Sequence, residues 1–167
     1  DSAIANLADK IYRLAAEFEW LLDSDKLNKR QKEDLSDLLD RKLMKSKDAK
    51  YILSSSLVTL CSLLLAHYRR HPVVLIDEYD VPLQKAVING YYQEMLSIIR
   101  PLLSQILKGN SDPCKVIMTG CLRASKESIF TGMNNIEVNT VLNNGNSIAT
   151  AFGFTPDEVQ RMFRYYG

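Results

Sequence analysis

The sequence lacks several features that would place it in a specialised class of protein. Its three cysteines, Cys61, Cys114 and Cys121, are an odd number, which argues against a disulfide framework, so we expect reduced thiols in a cytoplasmic protein. Its net charge is only +1, so no global field draws it to nucleic acid or acidic membranes. Its longest apolar stretch, around residues 57–66, is too short to span a bilayer. These absences favour an ordinary soluble globular domain.

The chain also lacks an initiator methionine and a secretory signal peptide. It begins at Asp1 directly in helix-like sequence, from which we expect a fragment of a longer protein. Histidine is scarce too, and the two present, His67 and His71, lie four residues apart near the end of a helical segment. That spacing suits a shared metal ion, but no third ligand lies near them in the sequence, which disfavours a metal site.

Apolar residues recur every three or four positions in several segments, which is typical of helices with one buried face. The pattern predicts helices over about residues 4–22, 28–45, 48–69 and 91–108, with a loop or short helix at 81–90. Pro101 predicts a kink or a boundary in the fourth helix. The inward residues predicted for this helix are Met95, Ile98, Ile99, Leu102, Leu103 and Ile106. A last helix begins at Thr155, which forms a capping box with Glu158 and is followed by Pro156 at the first helical position.

Three short segments between these helices read as strands. Residues 73–76 are four apolar side chains that follow Pro72 and end in acid, which predicts a strand buried on both faces, as in a parallel sheet covered by helices. Residues 115–119 form a second strand, and 136–142 alternate weakly and are a candidate third. The order of elements predicts an α/β fold with right-handed crossovers.

The carboxylates that end the first strand are the main candidate for chemistry. In open parallel sheets, ligands bind outside the carboxyl ends of the strands, where Asp77 and Glu78 would lie. Mg²⁺ binds few protein oxygens and keeps several waters, so Asp77 is our candidate metal residue. Glu78 is our candidate base for a water that attacks a γ-phosphate. The alternative is that the two acids merely begin a polar loop.

Polar residues also follow the second strand. If the two strands are neighbours, Thr119 would touch the γ-phosphate or the attacking water, the role called sensor 1, and Arg123 would stabilise charge on the transferred phosphoryl group. Lys126 is a further candidate for nucleotide contact, although the glycine and asparagines that follow it favour a structural turn. The alternative for Arg123 is a surface arginine beyond a capped strand end.

Three longer motifs carry a resemblance to a known family. LIDEYDVPL, TGCLRASKESIFTGMNN and FGFTPDEV match the AAA-ATPase-like family, widespread in bacteria, in order and spacing over residues 73–159. The resemblance implies a P-loop NTPase-like, three-layer αβα fold with a central parallel sheet. It also implies ATP with Mg²⁺ as ligand, and Asp77 and Glu78 in the Walker B role. Family members often carry a C-terminal PD-(D/E)xK nuclease-like domain, which is not present here.

The sequence departs from the family in lacking a Walker A loop, GxxxxGK[ST], ahead of the Walker B strand. That loop supplies backbone N–H groups and a lysine to the phosphates, so we expect this chain alone to bind ATP weakly or not at all. The strand that carries the loop would be missing from the sheet as well. We therefore expect residues 115–119 to form an exposed edge that pairs with another copy or is covered by the N-terminal helix.

The resulting interpretation divides the chain into a helical segment (1–70), the Walker B and sensor strands (71–150) and the start of a C-terminal helical region (151–167). We expect an ATP-binding and hydrolysing module that is inactive alone. The alternatives are a non-hydrolysing regulatory or protein-interaction module on the same fold, and a helical interaction domain whose acids are incidental. We expect a nucleotide as partner, self-association through the sheet edge, nucleic acid only through a fused domain, and no membrane.

Overall fold

A computed structural model describes residues 2–46, 49–108, 112–121, 129–130, 133, 136–139 and 153–166. The chain divides into two compact units, Asp1–Met133 and Asn134–Gly167. The first unit holds the candidate site.

The N-terminal part of the first unit is helical. Its helices are α1 (Ser2–Ala16), α2 (Lys29–Leu39) and α3 (Ala49–Tyr68), with short 3-10 helices at Glu19–Asp23 and Leu43–Lys45. The predicted helix 4–22 is thus two elements, because beyond Ala16 the chain takes 3-10 hydrogen bonds such as Leu21 N–H to Phe18 O (2.9 Å). The apolar repeat nevertheless continues, and Leu21 is fully buried.

The predicted helix 28–45 also ends early, and its two ends have different causes. Asn28 begins α2 with a capping box, since its side chain accepts from the Gln31 amide while the Gln31 side chain accepts from the Asn28 amide (both 2.9 Å). At the other end, the Asp40 carboxylate accepts from the amides of Lys42 (2.7 Å) and Leu43 (3.2 Å). This local alternative to helical bonding stops α2 at Leu39.

The core of the first unit lies around α3. This helix packs against α1, α2 and α5 (Tyr92–Leu107). The inward residues predicted for the fourth helix are all buried: Met95, Ile98, Ile99, Leu102, Leu103 and Ile106. Pro101 lies inside α5, so the predicted boundary at that residue is wrong.

The apolar character of α3 has two consequences. By length and composition alone, α3 is the one helix of the described residues that is apolar enough to cross a membrane, and it contacts α1, α2 and α5. Cys61 on α3 is buried, and burial raises the pKa of its thiol to about 11, so it is protonated at neutral pH. All three cysteines are free, and Cys114 and Cys121 are exposed.

A two-stranded parallel sheet completes the first unit. Strand β1 (Val73–Ile76) runs beside β2 (Lys115–Met118), with Val73 opposite Lys115 and Ile76 opposite Met118. The crossover between them contains α4 (Val81–Ile88) and then α5, so the segment predicted as a loop or short helix, 81–90, is a short helix over its first eight residues. A parallel pair requires such a long connection.

Two sequence-based expectations about the sheet are wrong. Strand β1 is not buried on both faces, because Val73 and Leu75 are 55% and 73% exposed and only the face with Val74 and Ile76 is partly covered. The candidate third strand is absent from residues 136–139, the described part of its predicted range. Three consecutive side chains there, residues 137–139, are exposed, so no alternating buried face exists to hold a strand.

The described helix of the second unit is α6 (Pro156–Tyr166). It begins as predicted with a capping box: the Thr155 amide donates to Glu158 Oε2 (2.7 Å), and the Glu158 amide donates to Thr155 Oγ1 (3.3 Å). Pro156 is the first helical residue, where its missing N–H costs no hydrogen bond.

Candidate functional site

The ends of the two parallel strands bring the candidate residues together. Because Ile76 is paired with Met118, the next residues on each strand, Asp77 and Thr119, emerge side by side at the carboxyl edge of the sheet. Both side chains are exposed, as is Glu78. This is the edge at which ligands bind in parallel α/β sheets. Parallel pairing at this position argues against a purely helical interaction domain with incidental acids.

Thr119 is the side chain that links the two strand ends. Its hydroxyl donates to Asp77 Oδ1, and its oxygen accepts a long hydrogen bond from the Glu78 amide (3.4 Å). Its backbone continues the ladder beyond the strands, because the Thr119 amide donates to Ile76 O (2.9 Å) and the Thr119 carbonyl accepts from the Tyr79 amide (3.1 Å). Thr119 is therefore held on both its side chain and its main chain by the segment that follows β1.

Glu78 has an unusual backbone. Its φ is +52°, in the left-handed region that non-glycine residues adopt at a cost of roughly 1–2 kcal/mol. This conformation ends β1 and turns the chain so that the Tyr79 amide meets the Thr119 carbonyl while the Glu78 side chain stays in solvent. Backbone conformations of this kind cluster at functional sites, where the surrounding structure holds them in place.

A third carboxylate, Asp80, lies directly beneath the site. Unlike the exposed Asp77 and Glu78, it is only 2% exposed, and it accepts a 2.6 Å hydrogen bond from Gln84 Nε2 on the first turn of α4. No role is predicted for Asp80 from the sequence pattern. One signal for Asp80 is present in the sequence. It lies just before a helix with proline in its first turn, and aspartate is common at this N-cap position.

The site offers oxygen ligands of the kind that Mg²⁺ prefers. Asp77 supplies a carboxylate beside the Thr119 hydroxyl, and Glu78 supplies a second carboxylate that is open to solvent. Among the described residues no group of three or more His, Cys, Asp or Glu side chains is gathered around a possible metal position. Asp77 and Glu78 are the residues at the strand ends that could hold such an ion, since Mg²⁺ is commonly bound through one or two carboxylates together with waters and substrate phosphates.

The remaining candidates divide into two groups. Arg123 and Lys126 lie outside the described residues, so their predicted roles stay predictions. The two histidines have partners other than a metal. His67 Nδ1 shares a hydrogen bond with Ser24 Oγ (2.8 Å) and its ring packs edge-on against Trp20, whereas His71 Nδ1 donates to the Asp112 carbonyl (2.9 Å).

The fold defines an α/β protein with a polar site at the carboxyl ends of two parallel strands. The model of the AAA-ATPase-like family, described as predicted AAA-ATPase, matches residues 9–130, and the chain belongs to this family. The match begins in α1, well before the three motifs noted in the sequence, and ends within the second of them. No curated protein and no solved structure shows a significant match.

Proposed function

We propose that the chain is the Walker B and sensor part of an ATP-binding and hydrolysing module, with Mg²⁺·ATP bound at the carboxyl ends of β1 and β2. The observation that carries this proposal is the hydrogen bond from Thr119 to Asp77 across two adjacent parallel strands. It joins a hydroxyl and a carboxylate at the edge where parallel sheets bind nucleotides.

Each residue has a role that follows from its position. Asp77, held by Thr119, orients water in the Mg²⁺ shell, and the ion, when bound, neutralises charge on the phosphates. Glu78 lies one residue further on with its side chain in solvent, where it accepts a proton from the attacking water. Thr119 is the sensor that contacts the γ-phosphate or that water. We assign Arg123 and Lys126 to charge stabilisation and nucleotide contact.

Hydrolysis also needs a phosphate loop. No GxxxxGK[ST] occurs in the 167 residues, so most of the backbone donors and the lysine that bind a triphosphate have to come from elsewhere. We expect the 167-residue chain alone to bind ATP weakly and to show no turnover. The second candidate function is a regulatory or protein-interaction module that uses the fold without hydrolysis.

Glu78→Gln in the complete gene product tests the proposal. Loss of a general base lowers turnover by typically 10²–10⁴-fold, whereas ATP affinity is retained because Gln keeps the size and polarity of the side chain. Turnover is measured as phosphate release and affinity by titration calorimetry. Glu33→Gln, at an exposed position on α2, is the matched control and is expected to leave both unchanged.

The outcomes separate the candidate functions. Turnover that Glu78→Gln leaves at the wild-type rate shows that Glu78 is not the base. ATP binding with no turnover in either protein supports the regulatory module. If the complete gene product does not bind Mg²⁺·ATP at all, the proposed ligand is wrong.

A further inference from the structure

Asp80 is a buried carboxylate that the proposed reaction does not use. A carboxylate that is 2% exposed is costly unless hydrogen bonds compensate for the lost water, and Gln84 supplies one at 2.6 Å. Asp80 also precedes α4, yet its side chain does not cap the free amides of that helix. Its carboxylate instead accepts from the Gln84 side chain on the same helix.

The Asp80 carboxylate also lies close to Gly120. A Cβ atom placed on Gly120 would lie 2.8 Å from Asp80 Oδ1 and 2.7 Å from Tyr79 Cε1, both too close for a real side chain. The Asp80 carboxylate and the Tyr79 ring thus pack directly on the backbone of the residue that follows Thr119. The Tyr79 ring is itself supported edge-on by Phe130, with ring centroids 5.5 Å apart.

We propose that Asp80 is a positioning residue that, with Tyr79, packs on Gly120 and so keeps Thr119 in contact with Asp77. The hydrogen bonds of Thr119 to Asp77, to the Glu78 amide and to the Tyr79 amide form one side of this junction. The contact of Gly120 with Tyr79 and Asp80 forms the other side. Only the effect of this junction on ATP hydrolysis rests on the proposed function, since the junction itself involves no ligand.

Native-state hydrogen exchange of the 167-residue chain measures the junction directly, because the Tyr79 amide donates to the Thr119 carbonyl. Gly120→Ala and Asp80→Ala are each expected to speed exchange of this amide by about tenfold or more, while the protected amides of β1 and β2 change by less than about threefold. Leu83→Ala, at a buried position on the same helix, is the control. Leu83→Ala is expected to change the exchange rate of the Tyr79 amide no more than it changes the exchange rates of the β1 and β2 amides.

Two further variants distinguish contact from general destabilisation. Asp80→Asn keeps the side-chain volume and an oxygen that accepts from Gln84, and is expected to hold Tyr79 exchange within about threefold of the wild-type rate. This variant also serves if Asp80→Ala does not fold. In the double variant of Asp80→Ala with Gly120→Ala, the added methyl group gains room, so the combined effect is expected to be smaller than the product of the single effects.

Several results would overturn the proposal. One is a change in the Tyr79 exchange rate in the double variant that equals the product of the two single changes. Another is an unchanged Tyr79 exchange rate in Gly120→Ala. A third is an equal increase of that rate in Asp80→Asn and Asp80→Ala. Turnover of the complete gene product is a separate measurement, in which Gly120→Ala is expected to lower kcat about tenfold or more with KM changed less than threefold. Faster Tyr79 exchange with unchanged kcat supports the junction and counts against the proposed role of Thr119 in hydrolysis.

Discussion

At the residue scale, the site depends on short-range geometry between neighbours in space that are far apart in sequence. Thr119 and Asp77 are 42 residues apart, yet one hydrogen bond joins them because each directly follows a strand of the same parallel pair. The pairing of Asp77 with the end of the second strand is therefore predictable once both strands are recognised. The left-handed turn at Glu78 and the burial of Asp80 are not, since both depend on the backbone that packs against them.

The cap of α6 gives a prediction of pH dependence. Hydrogen bonds from the Thr155 amide and then from its hydroxyl lower the pKa of Glu158 below its ordinary value of 4.5. Because the pKa of Glu158 is lower in the folded state, the cap stabilises the helix fully at pH values above the ordinary pKa. This stabilisation is lost as the pH falls through the lowered, folded-state pKa. The chemical shift of the Thr155 amide is therefore expected to titrate with a midpoint below 4.5.

The same titration in a denaturing concentration of urea provides the reference, and its midpoint is expected to return to the ordinary range. Thr155→Val removes the hydroxyl and keeps the amide, so the native midpoint is expected to rise part of the way. A midpoint in the native wild-type chain at or above that in urea contradicts the capping-box account.

At the element scale, helix positions follow from the sequence more closely than helix ends. The apolar repeat that places α3 and α5 comes from side chains that reach the core, so it survives in the structure with all six predicted α5 positions buried. The ends of α1 and α2 depend instead on local backbone hydrogen bonds, such as those accepted by Asp40. Periodicity carries no information about these bonds, and the two helices stop earlier than it predicts.

The interface between α3 and α5 gives a prediction of stability. Ile98 is fully buried in the core cluster around α3, so Ile98→Ala is expected to lower the free energy of unfolding by about 2–5 kcal/mol. Ile88 at the end of α4 is 82% exposed, and Ile88→Ala is expected to change it by less than about 0.5 kcal/mol. Urea denaturation of both variants measures the difference. Equal effects of the two substitutions would contradict this assignment of the core.

At the scale of the whole molecule, the sheet is smaller than the family resemblance implies. The described residues contain two parallel strands with one open face, and the three-layer arrangement with a central sheet remains a prediction. Composition and motifs indicate the α/β class because they report which segments are apolar and which end in acid. They do not reveal how much of the sheet is covered, because Val73 and Leu75 are exposed although valine and leucine are usually core residues.

The open face predicts self-association. Leu75 is 73% exposed beside Val73 and Ile117, on a sheet whose strands each have a free edge among the described residues. Light scattering of the wild-type chain is expected to show mass that rises with concentration, and Leu75→Lys is expected to reduce it. Ile88→Lys, which changes an exposed apolar residue away from the sheet, is the control. A wild-type chain that is monomeric at all concentrations would contradict this prediction.

The central claim is that the ends of β1 and β2 form the Mg²⁺·ATP position, and paramagnetic broadening tests it most directly. Mn²⁺ replaces Mg²⁺ and broadens nearby amide signals in NMR spectra even when binding is weak, so the 167-residue chain itself is suitable. On addition of Mn²⁺ with ATP, we expect early broadening at Asp77, Glu78 and Thr119, and loss of this broadening in Asp77→Asn. Broadening centred elsewhere, or unaffected by Asp77→Asn, would contradict it.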